Sequence, residues 1–390
     1  MFHRRLTAPD HSFFLFGPRG TGKTTWLREH LGDALWIDLV REAELMKLAR
    51  DPDLFRRQVE ALPRGAWIVV DEVQRMPALL GDVQDLVARH PGRYRFALTG
   101  SSARRLRREG ANLLPGRVVN RRFFPLTSDE LGELDVEAAV RFGCLPAIRA
   151  ERVEADRVAL LEAYVENYLA QEVRAEALVR RLDSFVRFLE VAALANGQVT
   201  NVSSLARDAG VARPTVQGYF DVLADTLLGV WLPAWRPHAR VKEVAHPKFY
   251  FFDPGVVRAL AGRLREPLEA AERGPLLETY VLHELRAWQD HAQIGGTFSY
   301  WRTPSGSEID FVWTRGKSTV GIEVKSSTRW RREDGAALRD LAAASTMQRA
   351  IGVYLGTTPL RDGDLEVLPL GQFLDRLYGG RVLRPAGRDI

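Results

Sequence analysis

Two groups of residues in this 390-residue chain have the types and spacing to do chemistry on phosphate. The first is Gly17-Pro18-Arg19-Gly20-Thr21-Gly22-Lys23-Thr24, entered from the apolar run Phe13-Phe14-Leu15-Phe16 and continued by Thr25 in a helical pattern. Glycines at that spacing let backbone amides curl around a polyphosphate, the lysine reaches the β- and γ-phosphoryl oxygens, and the next hydroxyl suits Mg²⁺ at a helix N-terminus. Nucleotide contacts are therefore expected from Gly17 through Thr25, with Lys23 on the phosphates and Thr24 on the metal. A second apolar run, Ala66-Trp67-Ile68-Val69-Val70, ends in Asp71-Glu72. Asp71 is expected to hold Mg²⁺ through its water shell, and Glu72 to orient and deprotonate the attacking water. A third run, 94–98, ends in Thr99-Gly100-Ser101-Ser102, where Thr99 or Ser101 would sense the γ-phosphate. Alone, these last two read as ordinary helix-start and turn chemistry. Behind the glycine loop they point to hydrolysis of ATP.

The second group lies near the C-terminus. Glu308-Ile309-Asp310-Phe311-Val312-Trp313 alternates, so Glu308 and Asp310 share one strand face, and Val320-Gly321-Ile322-Glu323-Val324-Lys325 does the same for Glu323 and Lys325. A hairpin through Arg315-Gly316-Lys317 would set Asp310 beside Glu323 and Lys325. Two convergent carboxylates suit Mg²⁺ or Mn²⁺. An adjacent ammonium would orient the nucleophilic water or neutralise the pentavalent phosphate. By itself, a Glu-x-Lys triplet on a strand is ordinary solvent-facing charge.

Elements must position these groups. Residues 35–39 read as one more strand, and strands alternating with helical stretches make a parallel sheet covered on both faces. After the third strand come Arg104, Arg105, Arg107, Arg108, Arg117, Arg121 and Arg122 against Glu109. That stretch reads as a solvated face, as a contact to nucleic-acid phosphates, or as the source of an arginine finger from Arg104, Arg105 or Arg117 acting on a neighbouring subunit, which implies a homo-oligomer. Residues 151–195 read as helices. Residues 202–216 then give a helix, a turn at Gly210 and a second helix opening at Arg213-Pro214. Runs 227–235 and 249–252 could pair as a wing. Arg213, Thr215 and Gln217 would face DNA from that second helix, and Asp253 reads as a helix cap.

Composition sets the class. A hydrophobic fraction of 46% and charged fraction of 27% describe a globular chain of two or three domains. No apolar stretch is long enough for a membrane helix, and one cysteine, Cys144, excludes internal disulfides and cysteine-based zinc sites. A cytoplasmic protein with no membrane partner is expected. The net charge of +5 permits nucleic-acid binding without demonstrating it.

Together, 17–24, Asp71-Glu72, 98–102 and Leu114-Pro115-Gly116-Arg117 through Phe124-Pro125-Leu126 resemble a prokaryotic AAA-type, archaeal-like P-loop ATPase family with a C-terminal DUF4143 domain. Asp310, Glu323 and Lys325 resemble the D…E-x-K signature of the restriction-endonuclease-like PD-(D/E)XK nuclease superfamily. That second resemblance implies an acid on a preceding helix, which Glu278 matches, with Glu284 ranked second. It also implies a helix near 335–344 and a weaker role for Gln348. The implied fold class is α/β and multidomain: an AAA+-like P-loop ATPase with a parallel sheet over 1–130, a helical and winged-helix connector over 131–265, and a nuclease-like α/β domain over 266–390. The implied function is a Mg²⁺-dependent ATPase coupled to a domain that binds, and in one reading cuts, DNA, with RNA as an alternative. Lys23, Glu72, Glu278, Asp310, Glu323 and Lys325 are then the catalytic set, and Mg²⁺ or Mn²⁺ sits on Asp310 and Glu323. The competing reading is an ATP-switched regulatory or defence scaffold that binds nucleic acid or protein without cleavage.

Overall fold

The computed structural model describes residues 2–100, 116–169, 182–236, 246–344 and 347–383. The chain divides into two compact units, Met1–Leu126 with Val222–Leu228, and Thr127–Asp221 with Gly229–Ile390. The segments 131–265 and 266–390 thus fall for the most part within one unit. Among the described residues no helix is long and apolar enough to cross a membrane.

The first unit is built on strands β1 (Phe13–Phe16), β2 (Leu35–Asp38), β3 (Ala66–Asp71), β4 (Tyr94–Gly100) and β5 (Val119–Arg122), ordered β2-β3-β4-β1-β5. Every pairing is parallel. A parallel sheet is covered on both faces, so its strands read as unbroken apolar runs, and β1 shows why. Phe14 and Phe16 face a core with Ile37, Phe96 and Leu98. Phe13 and Leu15 face the opposite core with Trp26, Leu27 and Val69. Burying a phenylalanine side chain is worth about 1.5–3 kcal/mol, so both faces of this one strand anchor the sheet. The register matches Phe16 with Gly100 and Asp38 with Asp71. The loop after β1, Asp71 and Thr99 therefore all emerge at the carboxyl edge, where open α/β sheets bind ligands.

The second unit opens with the helical turn Ser128–Leu131, closed by a reciprocal cap between Thr127 and Glu130. Helix Val202–Asp208 and the helix Arg213–Asp225, whose last residues from Val222 on belong to the first unit, flank a turn at Gly210, whose φ of 66° favours glycine. The antiparallel pair β6 (Gly229–Leu232) and β7 (Lys248–Phe251) follows. A second sheet contains β8 (Thr297–Arg302), β9 (Glu308–Arg315), β10 (Ser318–Lys325), β11 (Arg349–Tyr354), β12 (Leu360–Asp362) and β13 (Leu365–Pro369), in the order β12-β13-β11-β10-β9-β8. Its β8-β9-β10 meander is antiparallel, whereas β11 runs parallel to β10 and to β13.

Two connections in this unit fix the position of the β6–β7 pair. The chain leaving β6 docks on β8, with Trp235 N donating to Tyr300 O at 2.6 Å and Tyr300 N to Pro233 O at 3.0 Å. Asn196 ties the pair to the long helix Ala270–His291: its Nδ2 donates to Thr279 Oγ1 at 2.8 Å, and its Oδ1 accepts from Phe251 N at 2.9 Å. These contacts bring β7 against the helix that carries Glu278.

Candidate functional site

The glycine loop turns directly out of β1. Gly17 has no room for a side chain, because a Cβ there would stand 2.2 Å from the Phe123 carbonyl oxygen. Gly20 and Gly22 take φ of 78° and 95°, and Gly22 caps the helix Lys23–His30 in the left-handed region. Thr21 Oγ1 closes the loop on Pro18 O at 2.8 Å. Lys23 Nζ donates to Gly17 O at 2.6 Å and Pro18 O at 3.1 Å, which holds the ammonium in the loop's concavity. Pro18 and Thr21 are buried, while Arg19, Gly20 and Thr25 lie at the surface.

Arg4, which carries no local sequence signal, braces this loop. Its Nη1 donates to Thr21 O and its Nη2 to Phe124 O, each at 2.7 Å, and its guanidinium lies 4.1 Å over the Phe123 ring. The loop and the segment leaving β5 are thereby clamped to one side chain.

A continuous hydrogen-bonded chain links the remaining polar residues at this edge. Thr24 Oγ1 donates to Asp71 Oδ2 at 2.8 Å. Asp71 Oδ1 accepts from Thr99 Oγ1, and Thr99 Oγ1 in turn accepts from the Glu72 amide at 2.9 Å. Glu72 adopts φ 58° and ψ 50°, left-handed backbone that a non-glycine residue holds only when its surroundings enforce it. Its Oε2 accepts from Gln74 Nε2. Ser101, Arg104 and Arg105 lie outside the described residues. Arg117 is exposed, with Nη1 3.4 Å from Gln84 O.

In the second unit Glu278, Asp310, Glu323 and Lys325 line one cleft of about 680 Å³. The hairpin β9–β10 turns at Gly316, φ 58°. Asp310 N donates to Glu323 Oε2 at 3.3 Å, Asp310 Oδ2 accepts from Val324 N at 2.8 Å, and Lys325 Nζ donates to Glu323 Oε1 at 2.5 Å. Backbone amides thus orient both carboxylates. Glu278 enters from the long helix.

Sequence reasoning leaves three further groups of this cleft unread. Lys248, on β7, pairs with Glu308 and stands 3.7 Å from Glu278 Oε2. Tyr250 OH donates to that same Glu278 oxygen at 2.6 Å. Arg302 Nη1 stands 3.4 Å from Glu308 Oε2. The available signal is the lone cation in Lys248-Phe249-Tyr250-Phe251, a strand buried at every position, because a buried ammonium requires acidic partners.

Burial dominates the electrostatics of the cleft. It pushes the Glu278 carboxyl up to about 7, with Asp310 adding to the shift and Lys248 opposing it. Burial also raises Asp310, against Lys248 and Lys325, and raises Glu323 well above the carboxylate range with help from Asp310. Burial works against the Lys248 charge, yet Glu278, Asp310 and Glu308 outweigh it and hold the ammonium above its ordinary range. Lys325 is raised likewise, by Glu323 and Asp310 against burial. Crowded carboxylates of this kind favour a bound cation. Among the described residues no group of three or more His, Cys, Asp or Glu side chains is placed to hold a metal ion.

Two weaker candidates lie elsewhere. Glu284 is fully buried, accepting from Ser128 N at 2.8 Å and from Tyr378 OH. Gln348 sits at the opposite end of β10 from Lys325, its Oε1 accepting from Thr319 N. On the helix Arg213–Asp225, Arg213 and Gln217 are exposed and Thr215 is half-buried.

Comparison with known proteins agrees with this layout in part. Residues 10–132 match the family described as an AAA domain, residues 133–266 a domain of unknown function (DUF8612), and residues 273–373 another (DUF4143). Two curated relatives are similar, the uncharacterized proteins Mb2031c of Mycobacterium bovis and Rv2008c of Mycobacterium tuberculosis. Each is 29% identical over 339 residues, covering 85% of this chain and 74% of the relative. Similar solved structures include a RuvB variant of Thermotoga maritima, 19% identical with a TM-score of 0.28, covering 57% of this chain and 82% of that one. The Bacillus subtilis DNA clamp loader delta protein (YqeN) is 12% identical with a TM-score of 0.23, covering 70% and 94%. Scores this low carry no weight for fold or function. The AAA domain and the mixed α/β architecture with a parallel N-terminal sheet stand on the family match and the sheet itself.

Proposed function

We propose that the first unit hydrolyses ATP with Mg²⁺, and that this hydrolysis is coupled to a second unit whose nuclease-like cleft engages DNA phosphate through a divalent ion. The observation that carries the reading is the chain Thr24–Asp71–Thr99–Glu72, which joins a metal-suited hydroxyl and carboxylate to a carboxylate suited to activating water. The fit to Mg²⁺ rests on donor chemistry, since Thr24 Oγ1 and Asp71 Oδ2 are hard oxygens beside the glycine loop, at the N-terminus of the helix Lys23–His30. Bound there, Mg²⁺ would neutralise charge developing on the β- and γ-phosphates.

The residues divide the work. Loop amides 19–24 and the Lys23 ammonium bind the phosphates, and Thr99 fixes Asp71 and the Glu72 backbone together. Glu72 takes the proton of the attacking water, with Gln74 steadying its carboxylate. Arg117 is the described candidate for a finger reaching a second copy. In the second unit Asp310 and Glu323 would hold Mg²⁺ or Mn²⁺, Lys325 would orient water or phosphate, and Glu278 would accept a proton at its raised position near neutrality.

The test is phosphate release from ATP by the full chain with Mg²⁺, with and without duplex DNA, single-stranded DNA or RNA. Hydrolysis stimulated by DNA, abolished by Lys23→Ala and by Glu72→Gln, is the expected result. DNA cleavage in Mn²⁺ that is lost with Asp310→Asn assigns the cleft as a nuclease. Absence of hydrolysis in the parent chain removes the reading, and hydrolysis with no cleavage of any nucleic acid favours the scaffold.

A further inference from the structure

Lys248 stands apart from the Asp310, Glu323 and Lys325 set, yet it is the more deeply buried of the two lysines, with 4% of its side chain exposed. Its ammonium pairs with Glu308, lies 3.7 Å from Glu278 Oε2 and sits 5.3 Å over the Tyr300 ring. Tyr250 is two positions along the same strand and donates to the same Glu278 oxygen. Positions i and i+2 share a strand face, so β7 presents an ammonium and a hydroxyl to Glu278 as one unit. Gly197, at φ 74°, permits the approach: a Cβ there would meet Tyr250 Cε1 at 3.0 Å and Glu278 Oε2 at 3.7 Å.

The charges decide what the ammonium is for. With every carboxyl ionised, four acids, Glu278, Glu308, Asp310 and Glu323, face three cations, Lys248, Lys325 and Arg302. Glu333, which pairs with the Arg331 guanidinium, and Asp334, which accepts from the Arg331 backbone amide and bears on Lys325, line the same cleft. One divalent ion on Asp310 and Glu323 would leave Glu278 and Glu308 beside it, and the Lys248 ammonium already lies between these two. A second divalent ion would have to displace that ammonium or share its two carboxylates with it.

We propose that Lys248 is the cleft's built-in second cation: its ammonium, between Glu278 and Glu308, holds the place a second divalent ion would need and so limits the cleft to one Mg²⁺ or Mn²⁺ on Asp310 and Glu323. The inference rests on the metal-binding reading of the cleft. Lys248 is a positioning residue, acting through Glu278 and Glu308.

Mn²⁺ titration of the full chain followed by electron paramagnetic resonance tests this, with every protein carrying Asp71→Asn to silence the first unit and no nucleotide present. The parent binds one Mn²⁺, and Asp310→Asn abolishes it. Lys248→Met binds two, with the broadened spectrum of a coupled pair. Adding Glu308→Gln to Lys248→Met returns the count to one, and Lys248→Arg stays at one. Lys248→Gln gives the same two-ion result and carries the test if the methionine variant fails to fold. A parent that binds two ions, or a folded neutral variant that binds one, overturns the Lys248 proposal while leaving the metal-binding reading in place. A parent that binds none removes that reading and this proposal together.

Discussion

Replacing Thr99 by valine removes one oxygen and keeps the side chain's volume. Thr99 is fully buried, and its Oγ1 donates to Asp71 Oδ1 while accepting from Glu72 N at 2.9 Å. Orphaning the amide costs about 1–3 kcal/mol, and a bond to a charged carboxylate is worth about 1.5–3 kcal/mol. The variant should therefore be less stable by about 3 kcal/mol, the lower part of the combined range, because Asp71 keeps its bond from Thr24. The catalytic effect is larger in kind. Glu72 sits at φ 58°, a region that costs a non-glycine residue on the order of 1 kcal/mol, and its amide bond to Thr99 resists relaxation out of it. Once released, the residue swings its carboxylate away, and a displacement of about 1 Å costs about a hundredfold in rate. The expected outcome is a turnover number for ATP lowered about a hundredfold, with nucleotide affinity, set by residues 17–24, changed less than about threefold. Phosphate release, a fluorescent-nucleotide titration and a thermal melt read the three quantities. Thr99→Ser keeps the oxygen and should retain most of the turnover. A valine variant that hydrolyses at more than about a third of the parental rate would show that Glu72 is not held by this bond.

Arg4→Met keeps the apolar stem over Phe123 but removes the bonds to Thr21 O and Phe124 O. Nucleotide affinity should fall about tenfold, consistent with one charge-assisted bond of about 1.5–3 kcal/mol reaching the loop; an unchanged dissociation constant refutes the brace. Burial raises Glu284 to about 7, against donors Tyr378 and Ser128. The folded chain therefore holds that proton where the unfolded chain releases it, and stability falls as pH rises from about 4.5 to about 7, by at most about 3 kcal/mol. Asp253 and Glu278, raised to about 6 and about 7, act in the same direction. Glu284→Gln should make the loss of stability between pH 5 and pH 8 shallower in urea unfolding; parallel pH profiles for variant and parent refute the assignment.

What the sequence discloses depends on whether chemistry is carried within one element or between several. Alternation in β9 and β10 is local, and the turn at Gly316 is short, so the pairing of Asp310 with Glu323 follows from the chain alone. The same holds for helical phase: at 100° per residue Glu284 is turned well away from Glu278 on their common helix, and the first carboxylate lines the cleft while the second reaches Ser128 and Tyr378. Lys248 has no such local determinant. It arrives through the docking of the chain after β6 on β8 and through Asn196, contacts whose register no periodicity encodes. Arg4 reaches the glycine loop in the same unannounced way. A lysine in a buried aromatic strand implies that acids are near without naming them, and only the packed structure supplies Glu278 and Glu308. The acids that could ligate a metal are thus written in strand and helix periods, whereas the cation that sets how many ions they can hold comes from tertiary register. For that reason Lys248 lies in a segment, 131–265, whose own sequence gives no sign of belonging to the cleft.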